Sequence, residues 1–430
     1  MPEKLIIKEG SSVGGSINVR GSKNAAAPII ASTLLSSEPS ILENVPLIED
    51  IKKLLEVIKN MGGEIDFLEE RKIRIDPKNI DPNKLDFNLL TKMRISVLLL
   101  GPLVARFNEV RIPYPGGCVI GSRPIDTHIS ALGELGVEVE EFIEESDLLG
   151  RQNIYHFKAK NGLKGREIIL DEFSVTATEN IMMAAVLAEG KTVIKTAAAE
   201  PHVRHLALFL KEMGADIEGE GTHTIQINGK KELKGSEYKI PYDYIEAGTF
   251  ILLGLTTNTT INVKNTPVED LDLFLSKLKG FGAEIEIKEN EVITHPSEKV
   301  KMKKIQMMPH PGVPTDLQAP LGVFATQTEG LTLVHDPLYE GRLKYLEELN
   351  KMGAEIVICD PHRAIINGPT KLYGAKLNPL DLRGGAALII AGIIAQGTTV
   401  INDATQVDRG YEEIDKRLRG IGVNIERVGV

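Results

Sequence analysis

The stretch YPGGCVIGSRPIDTH, Tyr114 to His128, sets Cys118 among glycines and follows it with Arg123, Asp126 and His128. A thiol near a guanidinium is open to chemistry, because a neighbouring cation changes its acidity. Before it lies the β-type run EVRIP, and after it RPIDTHISALGELG, a helix that Pro124 can begin. Glycines between two such elements suit a mobile loop able to close over a ligand. The other cysteine, Cys359 in AEIVICDP, reads as a structural thiol of an apolar strand. Two cysteines this far apart form no metal or disulfide pattern and fit a reducing compartment.

Further candidates stand at the starts of long apolar segments: Lys23 and Asn24 in GSKN, Arg94 in KMR, Ser174 in SVTATEN, Asp316 in PTDLQ, and Arg383 in DLRGG. If those segments are helices, their first N–H groups and dipoles favour an anion, and the cations add formal charge. Each has a plainer reading. Asp126 can be a first-turn acid, His128 a satisfied helix histidine, and Asp316 a cap or a base. Arg409 in VDRGYEEI can pair with Glu412 or Glu413. Asp126, His128, Asp316 and Arg409 are each weak evidence alone, whereas the recurrence of polar residues at the starts of the apolar segments argues for function over ordinary capping.

That repeat organises the whole chain. NMGGEIDF, ELGVEVEEF, EMGADIEG, GFGAEIEI, KMGAEIVI and GIGVNIERV align on Gly62, Gly136, Gly214, Gly282, Gly353 and Gly422. Each glycine follows an amphipathic segment and precedes an alternating run, which predicts a helix closed by a left-handed glycine and turning into a strand. Between these copies lie KNAAAPIIASTLL, MRISVLLLGPLVA, TENIMMAAVLAEG, EAGTFILLGLTT, DLQAPLGVFATQ and RGGAALIIAGIIAQG. They are apolar on nearly every face and predict helices buried on all sides. The chain is therefore read as six α/β units of about 70 residues, with sheets surrounding the buried helices. NGKKELKGSEYKIP reads as a link between two halves of three units, and ligands favour the cleft between such domains.

Composition narrows the function. A chain of 430 residues, 42% hydrophobic, has room for two or three cored domains. The net charge of −10 argues against nucleic acid but permits a small anion at a local cationic cluster. MPEKLIIKEG lacks the apolar run of a signal peptide, and GGAALIIAGIIAQG is too short to span a bilayer. A cytoplasmic protein without membrane insertion is the expectation.

GSKNAAAPII, KMRISVLLLGPLVARF, PGGCVIGSRPIDTH, PTDLQA, DLRGGAALIIAG and VDRGYEEIDKRL resemble the enolpyruvyl transferase family, and within it the UDP-N-acetylglucosamine 1-carboxyvinyltransferases. The resemblance spans essentially the whole chain. The shikimate-pathway branch shares the fold without this cysteine loop. It implies two inside-out α/β barrel domains, residues 23–240 and residues 1–22 plus 241–430, with the active site in the cleft between them. It also implies transfer of the enolpyruvyl group of phosphoenolpyruvate to the 3-hydroxyl of UDP-N-acetylglucosamine with release of phosphate, the first committed step toward peptidoglycan. No metal or organic cofactor is implied.

By the same resemblance Lys23 and Asn24 hold phosphoenolpyruvate, while Arg123 and Arg409 contact its phosphate or carboxylate, with Arg383 close by. Arg94 and the run Arg123, Pro124, Ile125, Asp126, Thr127 contact the nucleotide sugar, with His128 and Ser174 nearby. Asp316 orients or deprotonates the sugar hydroxyl, Leu338 in DPLYEGR occupies an apolar sugar contact, and Cys118 donates a proton and is alkylated by the epoxide fosfomycin. Two positions depart from the family pattern, with Glu172 and Tyr244 where cations are usual. Another acceptor, such as shikimate 3-phosphate, and a non-catalytic nucleotide-sugar-binding paralogue are the competing readings.

Overall fold

All six aligned glycines adopt the left-handed conformation, with φ between 89° and 103°. A side chain is strained there, so glycine ends each outer helix and releases the chain into a strand. The structure is a computed structural model and describes residues 3–116, 124–146 and 150–429.

The described residues divide into two compact units, one of residues 21–116, 124–146 and 150–241 and the other of residues 3–20 and 242–429. Each has its own hydrophobic core. At the centre of each core stand the apolar helices. In the unit from Gly21 to Pro241 these are Lys23–Ser32, Leu100–Phe107 and Val175–Ala185. In the other they are Tyr244–Thr256, Gln318–Ala325 and Leu382–Ile394. Every residue of Tyr244–Thr256 is buried. A Phe250→Ala change in that helix would cost about 3–5 kcal/mol from lost burial and the cavity left behind. The amphipathic helices, such as Glu49–Asn60 and Pro201–Glu212, bury one face only.

Among the described residues five of the six sheets have four strands in one arrangement, an edge strand parallel to its neighbour and then two antiparallel strands. In the third repeat Ile168, Ile194 and Ile225 sit in register across Glu167–Ile169, Lys191–Lys195 and Thr224–Asn228, and all three are buried. The parallel pair needs a crossover, which the buried helix Val175–Ala185 supplies. Among the described residues the second repeat's sheet has three strands, Glu109–Pro113, Gly150–Lys158 and Glu138–Ser146.

Among the described residues the sheets are separate, and strands such as Glu64–Glu69 and Glu355–Asp360 are sheet edges. Two expectations change. First, NGKKELKGSEYKIP is more than a link. Its strand Glu237–Lys239 pairs in parallel with Ser40–Glu43 and completes the first repeat's sheet. Second, Cys359 does lie on a strand, Glu355–Asp360, but that strand is an edge and the thiol is exposed. The apolar run that suggested burial faces outward, with Val357 64% exposed.

Candidate active site

The unit from Gly21 to Pro241 gathers its candidates at the starts of its buried helices. Ser22 caps the first, its hydroxyl accepting from the Ala25 N–H at 3.3 Å. Lys23 follows at once and is 7% exposed. Its ammonium lies 2.7 Å from the carboxylate of Asp50, which is buried in the first turn of Glu49–Asn60. Asp50 is a residue the sequence reading missed. Nothing separates it from Glu49 in LIEDIK except the direction it takes on folding. Asn24 stands beside Lys23 in the helix's first turn.

Arg94 opens a 3₁₀ segment, Arg94–Leu99, that runs into Leu100–Phe107. Its guanidinium donates to the carbonyl of Pro124 at 3.3 Å. The helix after the cysteine loop begins at Asp126, two residues later than Pro124 suggested. Ile125 is buried, Asp126 is an exposed first-turn acid, and Thr127 donates to the Glu172 carboxylate at 3.2 Å. His128 is buried, with Nε2 at 3.0 Å from the Thr176 hydroxyl. Ser174 occupies the cap of Val175–Ala185, where its side chain makes no capping bond. Arg94, Pro124 to His128 and Glu172 to Thr176 are thus joined by direct contacts within one unit. Cys118 and Arg123 lie outside the described residues.

The other unit builds an ionic cluster. Asp316, in the 3₁₀ turn Thr315–Leu317 that leads into Gln318–Ala325, takes Arg342 on one carboxylate oxygen. Arg383 reaches its other oxygen, with Nε at 3.1 Å and Nη2 at 3.0 Å. Both arginines are buried. Burial works to lower the Arg383 pKa, yet Asp316, Tyr411 and Asp243 more than offset it and hold the guanidinium above its ordinary value. The same balance, with Asp316, Asp381 and Asp336 opposing burial, raises Arg342. The Arg383 guanidinium lies 5.4 Å from the Tyr411 ring centre, and the Tyr411 hydroxyl meets Thr249 at 3.0 Å. Asp381 caps Leu382–Ile394, accepting from the Arg383 N–H at 2.8 Å.

Arg342 was also missed. It sits in DPLYEGR, four residues after the Leu338 that drew attention. Its Nε reaches the Thr315 hydroxyl at 3.2 Å. That hydroxyl donates to Asp336 at 2.5 Å, and Asp336 in turn accepts from the Leu338 N–H at 3.0 Å. The Leu338 side chain is 38% exposed, free to meet an apolar surface. Arg409 follows the short helix Thr405–Asp408, whose Asp408 is gripped by Arg427 through two bonds of 2.8 Å. Tyr244, where a cation was expected, is buried at the start of Tyr244–Thr256. Glu172 is exposed and engaged by Thr127. Among the described residues no cluster of histidine, cysteine and acidic side chains suits a metal, and no helix is long and apolar enough to cross a membrane.

Buried helices ringed by repeated sheets, with cations and a carboxylate at their N-terminal ends, define a class of protein. Residues 7–418 match the family model for EPSP synthase (3-phosphoshikimate 1-carboxyvinyltransferase), and the chain belongs to this family of enolpyruvyl transferases. It is 43% identical to the UDP-N-acetylglucosamine 1-carboxyvinyltransferase of Treponema denticola, over 98% of this chain and 99% of the relative. Identity to the protein of the same name in Finegoldia magna is 39%, over 100% and 99%. Among solved structures the enolpyruvyl transferase NikO of Streptomyces tendae superposes with a TM-score of 0.88 over all of both chains at 23% identity. EPSP synthase of Acinetobacter baumannii gives 0.73 at 19% identity, over 99% of this chain and 100% of that one. These two share the fold.

Proposed function

We propose that this enzyme transfers the enolpyruvyl group of phosphoenolpyruvate to the 3-hydroxyl of UDP-N-acetylglucosamine and releases phosphate, the first committed step toward peptidoglycan. The observation that carries this reading is the 39–43% identity, over nearly the full length, to relatives named for that acceptor. A nucleotide-activated sugar as substrate brings a cytoplasmic location with it.

The chemistry needs an acid and a base together. The sugar oxygen bonds to C2 of phosphoenolpyruvate while its proton leaves to a base and C3 gains a proton. The C2–O bond to phosphate then breaks and C3 loses a proton, restoring the double bond. In our reading Asp316 orients the hydroxyl and takes its proton, held in place by Arg342 and Arg383. Cys118 supplies the proton to C3. Lys23, Asn24, Arg123 and Arg409, with Arg383 near, hold the phosphate and carboxylate and stabilise the charge leaving with phosphate. Arg94, the run Arg123 to His128, Ser174 and Leu338 hold the nucleotide sugar. Each set draws on residues of both units.

A phosphate-release assay with the acceptor varied tests the proposal. Release with phosphoenolpyruvate and UDP-N-acetylglucosamine together, and with neither alone, is the expected result. Release with shikimate 3-phosphate instead would transfer the chain to the other branch of its family. Binding of both substrates without release would make it a nucleotide-sugar-binding paralogue.

A further inference from the structure

The 3₁₀ segment Arg94–Leu99 and the α-helix Leu100–Phe107 meet at a junction where one rung of the helical ladder is replaced by a side chain. In an α-helix the Gly101 N–H would donate to the Val97 carbonyl, four residues back. Here the Gly101 N–H donates to Oδ1 of Asn180 at 2.7 Å, and Nδ2 of Asn180 donates to the Val97 carbonyl at 3.0 Å. The carboxamide is inserted between the two halves of the missing bond. Its other amide hydrogen reaches the Thr176 carbonyl at 3.0 Å. Three partners on opposite sides of one amide fix its orientation, and the residue is completely buried. Gly101 is required for this approach, because a Cβ there would stand 2.4 Å from the Asn180 carbonyl oxygen.

Insertion of a side chain into the ladder is a recognised cause of helix bending. Residues three apart eclipse one another in a 3₁₀ helix, so anchoring Val97 sets the direction in which Arg94 leaves the backbone. We infer that Asn180 is a positioning residue for nucleotide-sugar binding, which sets the Arg94 guanidinium against Pro124 by holding open the Val97–Gly101 rung. The inference rests on the reading of Arg94 as a ligand of UDP-N-acetylglucosamine. It assigns a role to a buried residue 86 positions away in sequence that touches no substrate.

Asn180→Leu keeps the size, removes the amide and lets Val97 and Gly101 close their own bond. The expected result is a rise of about tenfold in KM for UDP-N-acetylglucosamine, with kcat and the KM for phosphoenolpyruvate within about twofold of wild type. In an Arg94→Ala background the same change should add nothing, because both act through one guanidinium. Equal rises in both KM values, or full additivity with Arg94→Ala, would mean a general packing defect and overturn the proposal. Should Asn180→Leu fail to fold, Asn180→Ser is read by the same criteria. Hydrogen exchange on the wild-type protein supplies a measurement independent of any variant: the Gly101 amide must exchange slowly, and open-loop exchange overturns the junction. A wild-type enzyme inert toward UDP-N-acetylglucosamine would instead refute the functional reading beneath it.

Discussion

Arg383 reaches Asp316 from 67 residues away and places two nitrogens, at 3.1 and 3.0 Å, on one carboxylate oxygen. The arginine is 2% exposed, while the Asp316 side chain is 26% exposed and keeps one face toward solvent. An ion pair with one partner buried is weak support for stability but a firm constraint on geometry.

Asp316→Asn should leave the fold intact and lower kcat by about 10²–10⁴-fold, the usual size of a positioned acid–base contribution. Steady-state phosphate release checks this. Activity within a few-fold of wild type would remove Asp316 from the proton-accepting role.

Lys23 and Asp50 make the corresponding pair in the other unit. Asp50→Ala takes the carboxylate from beside a buried ammonium, at an expected cost of about 3–5 kcal/mol. Urea melts of Asp50→Ala and of the double variant Lys23→Met, Asp50→Leu decide the point. The double variant should be the more stable of the two.

Cys118→Ala should slow turnover sharply, while Cys118→Asp should retain part of it, because a carboxylic acid also donates a proton. Full activity in the alanine variant removes the proton-donor assignment. Peptide mapping after fosfomycin treatment should find the label on Cys118. The exposed Cys359 is the internal control.

His205 predicts a pH dependence of stability. Its Nδ1 meets the Tyr238 hydroxyl at 2.8 Å, and burial, helped by Arg204, lowers its pKa to about 4. The unfolded chain binds a proton near pH 6.5 that the folded chain refuses until about pH 4. Stability from this site is therefore complete above pH 6.5 and falls as the pH drops toward 4, by up to about 3 kcal/mol. Thermal melts at pH 7 and 4.5 should differ less in His205→Gln, which keeps an acceptor for Tyr238 and does not titrate. An unchanged difference would exclude His205 as its source.

What the sequence determined by itself is local and periodic. The six glycines after amphipathic segments specify helix ends, because only a residue without Cβ takes a φ near 90° at no cost. The all-round apolar segments specify burial, because no orientation of such a helix on a surface is stable in water. Lys23, Arg94, Ser174, Asp316 and Arg383 were visible as polar residues at the starts of those segments. Tertiary structure decided the partners. Asp50, Arg342 and Asn180 carry no mark in their own neighbourhoods; their meaning comes from Lys23, Asp316 and the Val97–Gly101 rung, which lie 26 to 83 positions away. Strand order was equally hidden, since Glu237–Lys239 and Lys4–Lys8 join sheets whose other strands lie far off in the chain. A strand's own pattern fixes which face it buries, but its neighbour is chosen by the packing of the whole unit.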